Sequence, residues 1–122
     1  MKSFVLACAL LFSSVCFADS ISYVVNIPTS QTPFSDTVID VDGYVPNTCY
    51  TIPDVKQEFN SVEFKLTIYI DYKSWDYAGE TCQKIQTPFL RQANFGKLEK
   101  GFYTVEAFEN GESVLSQYMT VN

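Results

Sequence analysis

Four kinds of chemistry are open to the side chains of this sequence, and each depends on spacing. A nucleophile needs a base beside it. The chain holds no histidine, so neither a Ser-His nor a Cys-His pair can form. A Ser-Lys dyad would have to draw its base from Lys65, Lys73 or Lys84, and no spacing marks one. Asp40-Val41-Asp42-Gly43 has the centre of a calcium loop. In that register Val38 and Cys49 fall where carboxylates are required, so the helix–loop–helix pattern fails and only a looser site using Asp36, Asp40, Asp42 or Asp54 stays open. Paired carboxylates for glycoside hydrolysis cannot be picked out from spacing alone. The sequence therefore assigns no catalytic residue, no metal ligand and no cofactor, and the protein is expected not to be an enzyme.

Aromatic side chains offer a different chemistry. Tyr69, Tyr72, Trp75 and Tyr77 follow one another beside Lys73 and Asp76, and Trp75 is the only tryptophan. Such rings stack on sugar faces and anchor protein interfaces. The ordinary alternative is that Tyr72 is core and Trp75 folds over the end of the domain. A second aromatic group, Tyr44 and Tyr50, brackets Cys49. A loop stiffened there would have a low ordering cost on binding. Trp75, Tyr77, Tyr44 and Tyr50 are the expected contact residues for a protein or glycan ligand. The alternative is a secreted protease inhibitor that presents Val45 to Thr48 or Ser74 to Glu80, and a small hydrolase is the third reading.

The compartment follows from the first residues. Lys2 precedes the uncharged run Phe4 to Phe12, and Cys16-Phe17-Ala18 closes with a small residue. This is the layout of a secretory signal cut after Ala18, giving residues 1–18 as signal and 19–122 as one domain. The apolar run is shorter than the roughly 20 residues that span a bilayer, which argues against an uncleaved anchor. A lipoprotein cut before Cys16 fits poorly, because Ser13 and Val15 stand where an aliphatic and a small residue belong. The product is expected to be secreted or periplasmic, and monomeric. Its seven basic and fourteen acidic side chains repel phosphate backbones and anionic lipid surfaces, which disfavours nucleic acid and membrane partners.

Removing the signal leaves two cysteines, Cys49 and Cys82, in an oxidising compartment. They are expected to form a disulfide. Two free thiols or a metal pair are the competing readings, and a metal site wants three or four ligands.

The elements that must position these residues are strands. From Val62 to Tyr72 apolar residues alternate with polar ones. Val62, Phe64, Leu66, Ile68, Ile70 and Tyr72 share one face, the period of a half-buried strand. Phe102 to Glu109 and Ser113 to Val121 flank Asn110-Gly111, the preferred pair for a tight hairpin turn. Within that hairpin Tyr103, Val105 and Ala107 are expected to meet Val114, Ser116 and Tyr118. Ile21 to Ile27, Thr37 to Val41, Val55 to Phe59, Cys82 to Gln86 and Arg91 to Phe95 read as shorter strands, with loops at Pro28 to Asp36 and Lys73 to Glu80.

Leu98-Glu99-Lys100-Gly101-Phe102-Tyr103-Thr104-Val105 has the form L-x-x-G-x-Y-x-V. It resembles the entry to the penultimate strand of immunoglobulin-like and fibronectin-like sandwiches. The resemblance implies a tyrosine corner in which Leu98 plugs the core, Gly101 permits the turn and the Tyr103 hydroxyl bonds back to the backbone. Over residues 43–121 the chain also resembles small exported bacterial proteins and lipoproteins with immunoglobulin-like domains of unassigned function. The expected fold is an all-β, immunoglobulin-like antiparallel β-sandwich of about seven strands with one disulfide.

Overall fold

A computed structural model describes residues 21–74 and 82–122. Residues 1–20, which include the expected signal, lie outside the described residues. The described chain is all-β: β1 (Ser22–Asn26), β2 (Ser30–Gln31), β3 (Asp36–Val45), β4 (Asp54–Asn60), β5 (Lys65–Asp71), β6 (Thr87–Lys97), β7 (Gly101–Glu109) and β8 (Glu112–Val121). They build two sheets, one ordered β1-β3-β6 and the other β2-β8-β7-β5-β4. The sheets press together over Ile39, Val41 and Val45 from one side and Leu66, Ile68, Ile70, Val105, Ala107 and Met119 from the other, all buried.

Pairing is antiparallel at β1–β3, β3–β6, β4–β5 and β7–β8. Two pairs correct the expectation of a wholly antiparallel sandwich: β5 runs parallel to β7, and β2 parallel to β8. The cause is the order of the β4–β5 hairpin. Its second arm, the more apolar one, takes the inner position beside β7, and the charged β4 (Asp54, Lys56, Glu58) is left at the edge. An inner strand has both faces covered more readily, and Thr67 is accordingly buried as well as its apolar neighbours.

The alternation of the 62–72 segment holds only from Lys65. Val62 belongs to the turn between β4 and β5 and is 90% exposed. Asn60 organises that turn, its Oδ1 accepting the Val62 and Glu63 N–H groups at 3.0 Å. Phe64 then takes a left-handed backbone (φ 54°) and packs on Tyr103, ring centroids 5.0 Å apart.

The final hairpin turns at Asn110 and Gly111, both at positive φ, as a two-residue primed turn requires. Its facing differs from the expected one. Tyr103 lies opposite Met119, Val105 opposite Gln117 and Ala107 opposite Leu115. Between Ala107 and Phe108 the register shifts, because Val114 is an extra residue on β8. One added residue exchanges the two faces of a strand. Met119 is therefore core, and Tyr118 is in solvent.

Three weaker expectations are also corrected. The 28–36 loop contains β2, the 37–41 strand extends to all of β3, and Cys82 to Gln86 is not a strand. Arg91 to Phe95 is part of the eleven-residue β6, which includes Pro88. Proline is tolerated there because β6 is an edge strand.

Candidate functional site

One end of the sandwich is tied together by a short turn that follows β3. Asn47 Oδ1 accepts the Cys49 N–H at 2.9 Å and curls the chain. Cys49 is joined to Cys82, their Cα atoms 5.4 Å apart. Two threonines repeat one device on either side of the bridge. The Thr48 N–H donates to the Gln83 carbonyl at 3.0 Å, while the Gln83 N–H donates to Thr48 Oγ1 at 2.9 Å. The Thr51 N–H donates to the Lys73 carbonyl, and the Lys73 N–H returns a bond to Thr51 Oγ1, both at 2.9 Å. Tyr50 and Ser74 pair as a single antiparallel bridge between these ties. Ser74 and Cys82 are thus both held against the same turn, and the stretch between them carries Trp75 and Tyr77 in sequence. Those two expected contact residues lie outside the described residues.

A polar clasp between the sheets occupies this end as well. The Tyr23 hydroxyl, from β1, donates to Glu109 Oε1, and the Tyr72 hydroxyl, just past β5, donates to Glu109 Oε2. The hairpin tip holds the same corner. Asn110 Oδ1 accepts the Tyr72 N–H, and the Asn110 N–H donates to the Ile70 carbonyl, both at 2.9 Å. Tyr50 packs on Tyr72 with ring centroids 6.1 Å apart. Glu109 Oε1 therefore joins β1 to the other sheet, and Oε2 ties the chain just past β5 to the end of β7.

Burial first, and then the bond to Glu109, push the Tyr23 and Tyr72 phenols well above their ordinary value of 10.0. A group whose pKa is raised by folding lends its stability below its unfolded pKa and loses it as pH rises through the folded one. The denaturant midpoint is therefore expected to hold up to about pH 10 and to fall above it. In the Tyr23→Phe, Tyr72→Phe double variant the fall above that pH should be shallower. An unchanged slope, measured by fluorescence across an alkaline pH series, would remove the clasp from the account.

The expected site residues separate in space. Tyr50 is half-buried in the clasp. Tyr44 is on the outer face of the three-stranded sheet, between Ser22 and Pro88, and is exposed. Leu98 and Tyr103 are buried, and the Tyr103 hydroxyl donates to the Glu99 carbonyl at 2.7 Å. A Cβ on Gly101 would lie 2.6 Å from the Phe64 ring, and its φ of 156° disfavours a side chain. In the stretch Val45 to Thr48, expected as an inhibitor loop, Val45 is 2% exposed, Thr48 is exposed and the Thr48 N–H is paired with the Gln83 carbonyl.

Other candidates take surface roles. Asp40 accepts Gln92 Nε2 at 3.0 Å on the outer face. Among the described residues no three His, Cys, Asp or Glu side chains converge on a metal position. Lys65 is bound to Glu106 at 2.7 Å. That bond raises the lysine pKa, whereas a Ser-Lys base needs it lowered.

Sequence reasoning did not find Glu109 and Tyr23, which are 86 positions apart. It also did not find a groove of about 460 Å³ on the outer face of the five-stranded sheet, lined by Glu58, Asn60, Glu63, Tyr69 and Phe108. Tyr69 stacks on Phe108 there at 5.6 Å and donates to Glu58 at 2.9 Å. The alternation of Tyr69 with Ile68 and Ile70 was the available signal for an outward ring.

Comparison with known proteins finds one family for the sandwich. The family model of the ORF11 beta-sandwich domain matches residues 39–119, from within β3 almost to the end of β8. No curated protein and no solved structure matches the chain.

Proposed function

The chain belongs to the family of ORF11 beta-sandwich domains, and from that premise we propose that it is a non-catalytic binding domain acting outside the cytoplasm on a protein or glycan partner. The observation that carries this reading is the doubly tied turn at Asn47 to Thr51. One disulfide, two backbone–backbone bonds and two bonds from backbone N–H groups to threonine hydroxyls hold Lys73 and Gln83, on either side of the aromatic stretch, against that turn. Anchored ends lower the entropy cost of presenting a short segment to a partner. A disulfide in this position is compatible with export.

Trp75 and Tyr77 are proposed as the contacts on that segment. Tyr44 is a separate contact on the outer face of the smaller sheet, whereas the clasp gives Tyr50 a supporting role. The test is retention of the purified protein on a polysaccharide panel and on envelope and secreted protein fractions. Trp75→Ala is expected to lower retention at least about tenfold, the loss of one aromatic anchor, while the melting temperature stays within about 2 °C. Retention that survives the Trp75→Ala, Tyr77→Ala double variant would sink the assignment. So would collapse of the fold in Trp75→Ala.

A further inference from the structure

Alternation along the strands decides what the five-stranded sheet shows to water. On β7 the side chains of Phe102, Thr104, Glu106 and Phe108 point outward, because Tyr103, Val105 and Ala107 between them are buried. Tyr118 on β8 lies opposite Thr104 and so stands on the same outer face, diagonal to Phe102. Both rings are 80% exposed. Single apolar side chains in water are ordinary, whereas neighbouring exposed rings are the composition of an interface.

The groove of about 460 Å³ opens on this same face. Thr67, 7% exposed in the inner strand β5, is its floor, with Glu58 and Asn60 from β4 and Glu63 from the turn before β5 around it. The stacked rings of Tyr69 and Phe108 close one end. β5 and β7 run parallel with Lys65 beside Thr104, so the Glu63 end of the groove is the Phe102 end of the sheet. The face from Phe102 to Phe108 measures about 20 Å along the strand. Its charges do not balance. Lys65 is spent on Glu106 at 2.7 Å, and Lys56, opposite Tyr69, is exposed and forms no salt bridge among the described residues. Glu58 and Glu63 are thus without a cation.

We infer that this face docks a basic, extended segment of a partner protein, with a lysine or arginine side chain in the groove between Glu58 and Glu63 and an apolar side chain on Phe102 and Tyr118. Charge selects the occupant. A neutral glycan filling the groove would cover two carboxylates and supply no countercharge, which is costly. A second copy of this chain, at net charge −6, meets the face with the same sign. A cationic side chain satisfies both carboxylates, and its aliphatic stem suits the ring edges of Tyr69 and Phe108. An extended segment of about six residues covers the 20 Å from end to end. The contact is smaller than a standard interface, so it is weak and sensitive to salt. The inference does not rest on the Trp75 contact.

Fluorescence anisotropy of a labelled peptide of about six residues, alternating arginine with leucine, tests this against the disulfide-bonded protein. The wild type is expected to bind it, less tightly as salt is raised. Glu58→Gln with Glu63→Gln removes both charges, keeps an acceptor for the Tyr69 hydroxyl and should weaken binding at least about tenfold. Phe102→Thr with Tyr118→Thr keeps strand propensity and should weaken it by a similar factor, with the melting temperature within about 2 °C of wild type. Asp40→Asn with Asp42→Asn removes the same charge from the smaller sheet and should leave binding unchanged. So should Trp75→Ala, which separates this contact from the other. A wild type that does not bind the peptide overturns the inference. Equal binding of the peptide with citrulline in place of arginine overturns it too, as does a loss in the Asp40, Asp42 variant as large as in the Glu58, Glu63 one.

Discussion

Replacing Cys49 and Cys82 together with serine is expected to lower the unfolding free energy by about 3–4 kcal/mol, because the bridge removes the closure entropy of a long loop from the unfolded chain. The cysteines are 33 positions apart. For a domain of about 100 residues that loss corresponds to roughly 12–30 °C in melting temperature. The loss is not confined to the unfolded state. The Thr48–Gln83 pair adjoins the bridge directly and has no strand around it, so it should loosen with the bridge even where the sheets persist. Differential scanning calorimetry of oxidised wild type beside the double serine variant supplies the measurement. A difference under about 1 kcal/mol would mean that the ties around Thr48 and Thr51 hold the turn without the sulfur bond.

Gly43→Ala is expected to cost about 3 kcal/mol through overpacking that no rotamer can relieve. A Cβ at this position would lie 2.0 Å from the Ser22 carbonyl oxygen and 2.6 Å from the Tyr23 Cα. The obstruction is backbone, so β1 must move off β3 to admit the methyl group. Tyr23 is the direct partner of Gly43 in the ladder, and its hydroxyl reaches Glu109 only while β1 keeps this register. The variant therefore carries a second signature: the Tyr23 phenol, freed from burial and from Glu109, should titrate close to its ordinary value. Urea unfolding gives the first quantity and ultraviolet titration of the phenols the second. Wild-type stability in Gly43→Ala would place β1 elsewhere on the sheet.

The parts of the fold that were legible in the sequence rest on local patterns. Asn110-Gly111 gives the hairpin because both residues must take positive φ, and they do. Lys65 to Asp71 shows a strand by alternation, and the two cysteines that follow the expected signal, Cys49 and Cys82, form the bridge. What was not legible depends on relations between distant segments. Nothing in Val114 marks it as the bulge that turns Tyr118 outward and Met119 inward. The parallel neighbours β5 and β7 have no signature of their own, since pairing direction is decided by which arm of the β4–β5 hairpin lies inside. The clasp needed Tyr23 and Glu109 to be placed together by the packing of two sheets. Pro88 concealed the continuity of β6, because a proline reads as an interruption until the strand is known to be an edge.

The central physical claim is that the Asn47 to Thr51 turn is held rigid by the bridge and fixes Ser74 and Cys82 against it. Amide hydrogen exchange at Thr48, Thr51 and Gln83, compared between the oxidised protein and the double serine variant under conditions where both stay folded, tests it most directly. Protection should be strong in the oxidised protein and fall by at least about tenfold at these three amides in the variant, with Val105 and Ala107 in the centre of the sheet changing far less. Equal protection in both proteins, or fast exchange at the turn even with the bridge intact, would contradict it.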